Sequence, residues 1–99
     1  SHENIPVIKT GIAGNYPNPF NPSTSINYSI QKETMVSLDI FNIKGQKVKT
    51  LLNEVVKSGD HQITWQGRDS SGNTCASGIY FLRMSAEGKN YTHKMMLIK

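Results

Sequence analysis

The chain has 99 residues, about the size of one domain, with a single cysteine and a formal net charge of +4 from 11 basic and 7 acidic side chains. One cysteine excludes an internal disulfide, and no run approaches the ~18 apolar residues of a membrane span, so stable membrane insertion is not expected. The densest basic group, Lys44, Lys47 and Lys49, has no aromatic residues between its members for bases to stack on. These lysines are expected at a strand edge, where they discourage edge-to-edge pairing, and not on a nucleic-acid surface.

Residues 1–14 show no sustained period, and Gly11 and Gly14 loosen them further. They read as a flexible linker, with Val7-Ile8 pairing at most weakly against an edge, and residues 15–99 as the folded domain. Ser1 to Asn4 has neither the basic nor the apolar region of a signal peptide, so the signal of an exported parent is expected upstream. The segment Tyr16-Pro17-Asn18-Pro19-Phe20-Asn21-Pro22 cannot be helical, because its prolines fix φ and lack donors. Asn18 and Asn21, each before a proline, suit local side-chain-to-backbone turns.

From there the period is two. Ile26, Tyr28 and Ile30 alternate with polar residues, and after the turn Gln31-Lys32-Glu33 so do Val36, Leu38 and Ile40. Lys44-Gly45 supplies a tight hairpin, the glycine taking positive φ. The returning strand, Gln46 to Val56, breaks alternation, which predicts a bulge near Leu51. Beyond Lys57-Ser58-Gly59-Asp60, a strand carries His61, Ile63 and Trp65, and a polar loop runs from Gly67 to Asn73. Gly78 to Ser85 is apolar enough to be a central strand covered on both faces. Asn90 to Lys99 closes the chain, with Met95-Met96-Leu97-Ile98 held in a sheet and not fraying. Short strands with a turn every 8–15 residues or so predict an all-β antiparallel sandwich of six or seven strands.

Chemistry finds little footing. There is no nucleophile elbow, phosphate-cradling glycine loop or histidine pair at metal spacing, and no carboxylate pair suited to glycoside hydrolysis. No catalytic, cofactor-binding or metal-binding residue is expected. His61 reads as a packing residue, Cys75 as a small buried one, and Trp65 as a core anchor. Asp69 and Ser71 fit a turn; calcium would want more carboxylates. Tyr16, Phe20, Tyr28, Tyr80 and Tyr91 are the aromatics that a carbohydrate face could use.

Several blocks are more specific than composition. Tyr16-Pro17-Asn18-Pro19-Phe20-Asn21-Pro22-Ser23-Thr24, Ile40-Phe41-Asn42-Ile43-Lys44-Gly45-Gln46-Lys47-Val48, Trp65-Gln66-Gly67-Arg68-Asp69 through Gly72, Ser77-Gly78-Ile79-Tyr80-Phe81, and Lys94 to Lys99 follow one another in order. In that order they resemble the type A C-terminal sorting domain of the type IX (Por) secretion system. Three positions depart from its pattern: Lys44 where leucine is commoner, Gln66 where aspartate is frequent, and Cys75 where valine often stands.

The resemblance implies an Ig-like sandwich of about seven strands that acts as a non-catalytic secretion signal at the end of a larger cargo. The partners implied are the outer-membrane secretion machinery, a sortase-like peptidase that cuts before the domain, and the fused upstream cargo. The implied route runs through the periplasm to a secreted or cell-surface location, and no cofactor is implied. Candidate recognition residues are Pro17, Asn18, Pro19, Phe20, Asn21 and Pro22, the turn Lys44, Gly45 and Gln46, and Lys94 and Lys99 of the last strand. For each, an architectural role stands beside a contact role. Trp65, Gly67, Asp69, Gly72, Gly78 and Tyr80 are read as structural signature. The competing reading is an Ig-like accessory module that binds carbohydrate or protein beside a secreted hydrolase. Similar sandwiches, including one in flagellar hook-capping proteins, serve structure or assembly, and fold alone does not separate these roles.

Overall fold

The computed structural model describes residues 8–99. Its strands are β1 Gly11–Tyr16, β2 Thr24–Ile30, β3 Thr34–Asn42, β4 Lys47–Val56, β5 Gly59–Trp65, β6 Gly78–Ala86 and β7 Lys89–Leu97. They form a three-stranded sheet in the order β1-β2-β5 and a four-stranded sheet in the order β4-β3-β6-β7. Every strand pairing is antiparallel. Among the described residues, no helix is long and apolar enough to cross a membrane.

Alternation does the sorting. Thr24, Ile26, Tyr28 and Ile30 of β2 point inward, as do Val36, Leu38 and Ile40 of β3 and Tyr80, Leu82, Met84 and Ala86 of β6. Burying each of the aliphatic side chains contributes about 1.5–3 kcal/mol relative to exposure. The last strand joins in by the same rule. Met95 and Leu97 lie in the core, whereas Met96 and Ile98 point outward and are 39% and 47% exposed.

The bulge expected near Leu51 is present. Leu38 pairs with Leu52 and Asp39 with Thr50, which leaves Leu51 as the extra residue. A second, unanticipated bulge leaves Val48 between the Ile40–Lys49 and Phe41–Lys47 pairs. Both lie on an outermost strand, where a bulge adds twist and lysines resist further pairing.

Two expectations need correction. Residues 11–14 are not linker: Gly11 pairs with Ser29, Ile12 with Tyr28 and Gly14 with Asn27, around a bulge at Ala13. The glycines and the bulge hide the strand's period from the sequence. Thr10 is also fastened, its hydroxyl donating to Glu87 Oε1 at 3.0 Å and accepting from Gln31 N at 2.8 Å. Ile8 is half-buried and Lys9 exposed, both outside any strand, and the rest of the predicted linker, residues 1–7 with Val7 included, lies outside the described residues. β6 is central as expected but covered on one face only. Its outward residues Ile79 and Phe81 are half-buried and Arg83 is exposed. Arg83 lies 4.6 Å above the ring of Phe41, so side chains of the same face shield one another there.

Candidate functional site

The pairing register carries three distant parts of the sequence to one end of the sandwich. Asn42 pairs with Tyr80, and Gly78 with Leu97. The β3–β4 hairpin, the long β5–β6 loop and the end of β7 therefore lie together. The proline segment joins them because β1 runs toward this end, where Tyr16 pairs with Ser25.

Residues 17–22 form a strap laid along the free edge of β7. Phe20 N donates to Met96 O, and Ile98 N donates to Phe20 O, both at 2.9 Å, a short parallel bridge. Asn18 Oδ1 accepts from Met96 N at 3.1 Å, so this asparagine caps a distant strand and does not make the local turn expected of it. Thr24 Oγ1 donates to Pro17 O at 2.8 Å, and Asn15 Nδ2 donates to Thr24 Oγ1 at 3.1 Å. The peptide bonds before Pro17, Pro19 and Pro22 are cis.

An aromatic plug sits beneath the strap. Phe20 is 1% exposed, its ring centroid 5.5 Å from that of Trp65, which in turn meets Tyr80 edge-on at 5.3 Å. Trp65 Nε1 donates to Arg68 O at 3.0 Å, and the Tyr80 hydroxyl to Ala76 O at 2.6 Å, which satisfies both polar tips. Gly67 lies where the strap crosses the β5–β6 loop. With φ at +71°, it would place a Cβ 2.6 Å from Pro22 O, so only glycine fits.

The hairpin is organised by a residue outside its turn. Asn42 Oδ1 accepts from Lys44 N at 2.9 Å and Gln46 N at 3.0 Å, and Asn42 Nδ2 donates to Gln46 Oε1 at 2.9 Å. Gly45 takes φ +82° as anticipated. Asparagine, glycine and glutamine thus each have a task at that spacing. The β5–β6 loop closes in the same manner, Asp69 Oδ1 accepting from Ser71 N at 3.0 Å and Asn73 N at 2.9 Å. Ser70 N then donates to Val48 O at 3.1 Å, which covers part of β4's open edge.

Cys75 is buried between loop and hairpin. Desolvation, then the charge of Asp69, raises its pKa above the usual thiol value, so it remains a thiol and not an activated nucleophile at neutral pH. Burial first, then the neighbouring Cys75, likewise raises Tyr80. Among the described residues, no group of three or more His, Cys, Asp or Glu gathers as a metal site requires.

Of the candidate recognition residues, Pro17, Asn18, Pro19, Asn21 and Pro22 are exposed on the strap, as are Lys44, Gly45 and Gln46 on the hairpin and Lys94 and Lys99 near the end. Phe20 is different, since its ring is core and only its backbone lies at the edge. Among the carbohydrate-face aromatics, Phe20, Tyr28 and Tyr80 are buried, Tyr91 is half-buried and Tyr16 is exposed. They form no shared platform. His61 stacks on Tyr28 with centroids 5.4 Å apart, a packing role. The sequence reading missed Asn42 as the hairpin's hub, Asn15 and Thr24 as anchors of the strap, and Ser77, whose Oγ accepts from Lys99 N at 3.0 Å.

Comparison with known proteins bears on the fold as a whole. PorU from Porphyromonas gingivalis, in a dimeric latent form, superposes with a TM-score of 0.74 at 17% identity, over 98% of this chain and 10% of PorU. PorZ, described as an essential bacterial surface component of the type IX secretion system of the same organism, gives 0.63 at 22% identity, over 90% and 12%. FlgD from P. aeruginosa gives 0.56 at 25% identity, over 76% and 59%. The chain thus spans about a tenth of the length of PorU and of PorZ and just over half that of FlgD. No curated protein matches the sequence. A sequence model of the FlgD Ig-like domain matches residues 22–90, which takes in β2 through β6 and the opening of β7. With well over half of the chain inside that match, including five of the seven strands, the chain belongs to the FlgD Ig-like domain family.

Proposed function

We propose that this domain is a non-catalytic address. In this reading it directs an attached cargo through the periplasm and across the outer membrane to the cell surface, by type IX secretion. The observation that carries the reading is the convergence of the proline strap, the Asn42–Gln46 hairpin and the end of β7. These blocks carried the resemblance to sorting domains, and they now occupy one rigid end of the sandwich. A secretion receptor must recognise a shaped surface on cargoes whose other domains differ. A cap fixed by Phe20, Gly67 and Leu97 supplies such a shape without a reactive group. The likeness to a stretch of PorZ, a surface component of that system, is in keeping with this location. The accessory-module reading is weaker for carbohydrate, because the aromatics it would use are mostly core.

The test fuses the full chain to an inert periplasmic reporter in a type IX-competent host. The reporter is expected on the cell surface. Retention in the periplasm, with the domain folded and stable, rejects the proposal.

A further inference from the structure

The outward face of the four-stranded sheet has a feature that the sequence order conceals. Phe41 pairs with Lys47 on one side and with Phe81 on the other, and Phe81 pairs with Lys94. One row across the sheet therefore reads lysine, phenylalanine, phenylalanine, lysine. Toward the strapped end, the row beside it holds Ile79 paired with Met96, and Ile43 follows Asn42 at the mouth of the hairpin. Ile43 is 71% exposed. On the other side, Arg83 stacks on Phe41 next to Asp39. Asp39 is only 8% exposed and already engaged, by the Thr50 hydroxyl at 2.7 Å and Lys47 Nζ at 3.6 Å.

We propose that this face is a docking surface for a partner protein that presents apolar side chains flanked by carboxylates. A contiguous apolar patch rimmed by charge is the usual anatomy of a protein interface, with aromatic residues, methionine and arginine at its centre. The charge on the face is one-sided, because Asp39 offsets only one of the three cations Lys47, Lys94 and Arg83, and the Lys47 side chain, 54% exposed, keeps room for a second carboxylate. A second copy docked face to face would set these cations against their counterparts, so an acidic partner fits where self-association does not. Nucleic acid fits less well. Arg83 already covers the Phe41 ring, and Ile43, Ile79 and Met96 offer a sugar-phosphate chain no polar contact. The spacing is also suggestive of size. Three inter-strand steps of about 4.8 Å separate Lys47 from Lys94, roughly 14 Å, which an extended segment with acids at its first and fifth residues spans.

The experiment titrates isotopically labelled full chain, by amide NMR, with the peptide Ac-Glu-Val-Phe-Val-Glu-amide. The comparison probes are its Lys-for-Glu counterpart and a ten-residue oligothymidylate. Saturable shifts confined to Phe41, Ile79, Phe81 and Lys94 are expected with the acidic peptide, weakening at least tenfold in K94E. That variant leaves the Asp39–Lys47 pair intact, and its unchanged melting temperature shows that the fold survives. V55E, at the far end of the same face, where Val55 pairs with Met35 six residues along β3 from Phe41, should bind as the parent does. No saturable shift with the acidic peptide, equal response to the basic one, or tighter binding of the oligonucleotide overturns the proposal.

Discussion

Gly67 makes the case for a single atom deciding local structure. A methyl group there meets the Pro22 carbonyl oxygen at 2.6 Å, and the oxygen belongs to backbone pinned on both sides. The φ of +71° adds strain for any L side chain. Strain of this kind costs about 1–3 kcal/mol, and relieving the clash means lifting the strap. Gly67→Ala should therefore lower the urea midpoint by the equivalent of ~2–4 kcal/mol, whereas Gly72→Ala, with open space around its Cβ, should show the smaller backbone cost alone. Equal losses at the two positions would mean the crossing is looser than described. Titration gives a second residue-scale test. Cys75, Tyr28 and Tyr80 all have raised pKa values, chiefly through desolvation, so the folded state holds protons that the unfolded state has released. Stability is then fully present below the ordinary thiol value of 9.0 and falls as pH rises through the shifted values. Denaturant midpoints measured from pH 7 upward should decline above 9.0, with the earliest part of the decline missing in Cys75→Ala.

At the scale of elements, strap and last strand stabilise each other, and neither is complete alone. Phe20 contributes a buried ring to the plug while its backbone completes the edge of β7. Phe20→Ala should cost about 3–5 kcal/mol, as expected for emptying an aromatic site. Removing Leu97 to Lys99 should leave most of the sandwich protected but raise hydrogen exchange at the Phe20 amide, the group that bonds to Met96. Unchanged exchange there would show that the strap stands without β7. This coupling also marks what could be read from sequence. β2, β3 and β6 declare themselves because one face is core and the other solvent, so polarity alternates. The hairpin and bulge near Leu51 were legible for the same reason, as local breaks in a local pattern. β1 was not, since an edge strand built on Gly11, Ala13 and Gly14 has little side chain to alternate. The Lys47–Phe41–Phe81–Lys94 row was hidden more deeply. Its members come from different strands, and only register makes them neighbours.

For the whole molecule, the two ends of the sandwich are built differently. The strapped end carries the candidate recognition segments, and the opposite end receives the upstream chain. β3, nine residues long, separates them by roughly 30 Å at about 3.4 Å per residue. Under the proposed function, a peptidase freeing cargo from this domain would need extended backbone, yet Gly11–Tyr16 is committed to a sheet and Thr10 is clasped by Glu87 and Gln31. Glu87 holds that clasp from a strained position, with φ of +54°, and its other oxygen lies 3.9 Å from Lys32 Nζ. Cleavage should thus become possible only on the N-terminal side of Thr10, and the clasp should set how far protection extends. Trypsin offers a direct measure, because Lys9 is exposed beside the clasped residue. Thr10→Ala removes two hydrogen bonds worth about 0.5–1.5 kcal/mol each, which corresponds to roughly 5- to 150-fold more frequent local opening. Where opening and closing outpace cleavage, the rate of cutting after Lys9 should rise by that factor while the global urea midpoint moves far less. Identical cleavage rates in the parent and Thr10→Ala would show that the clasp does not hold the junction, and that β1 alone sets the boundary.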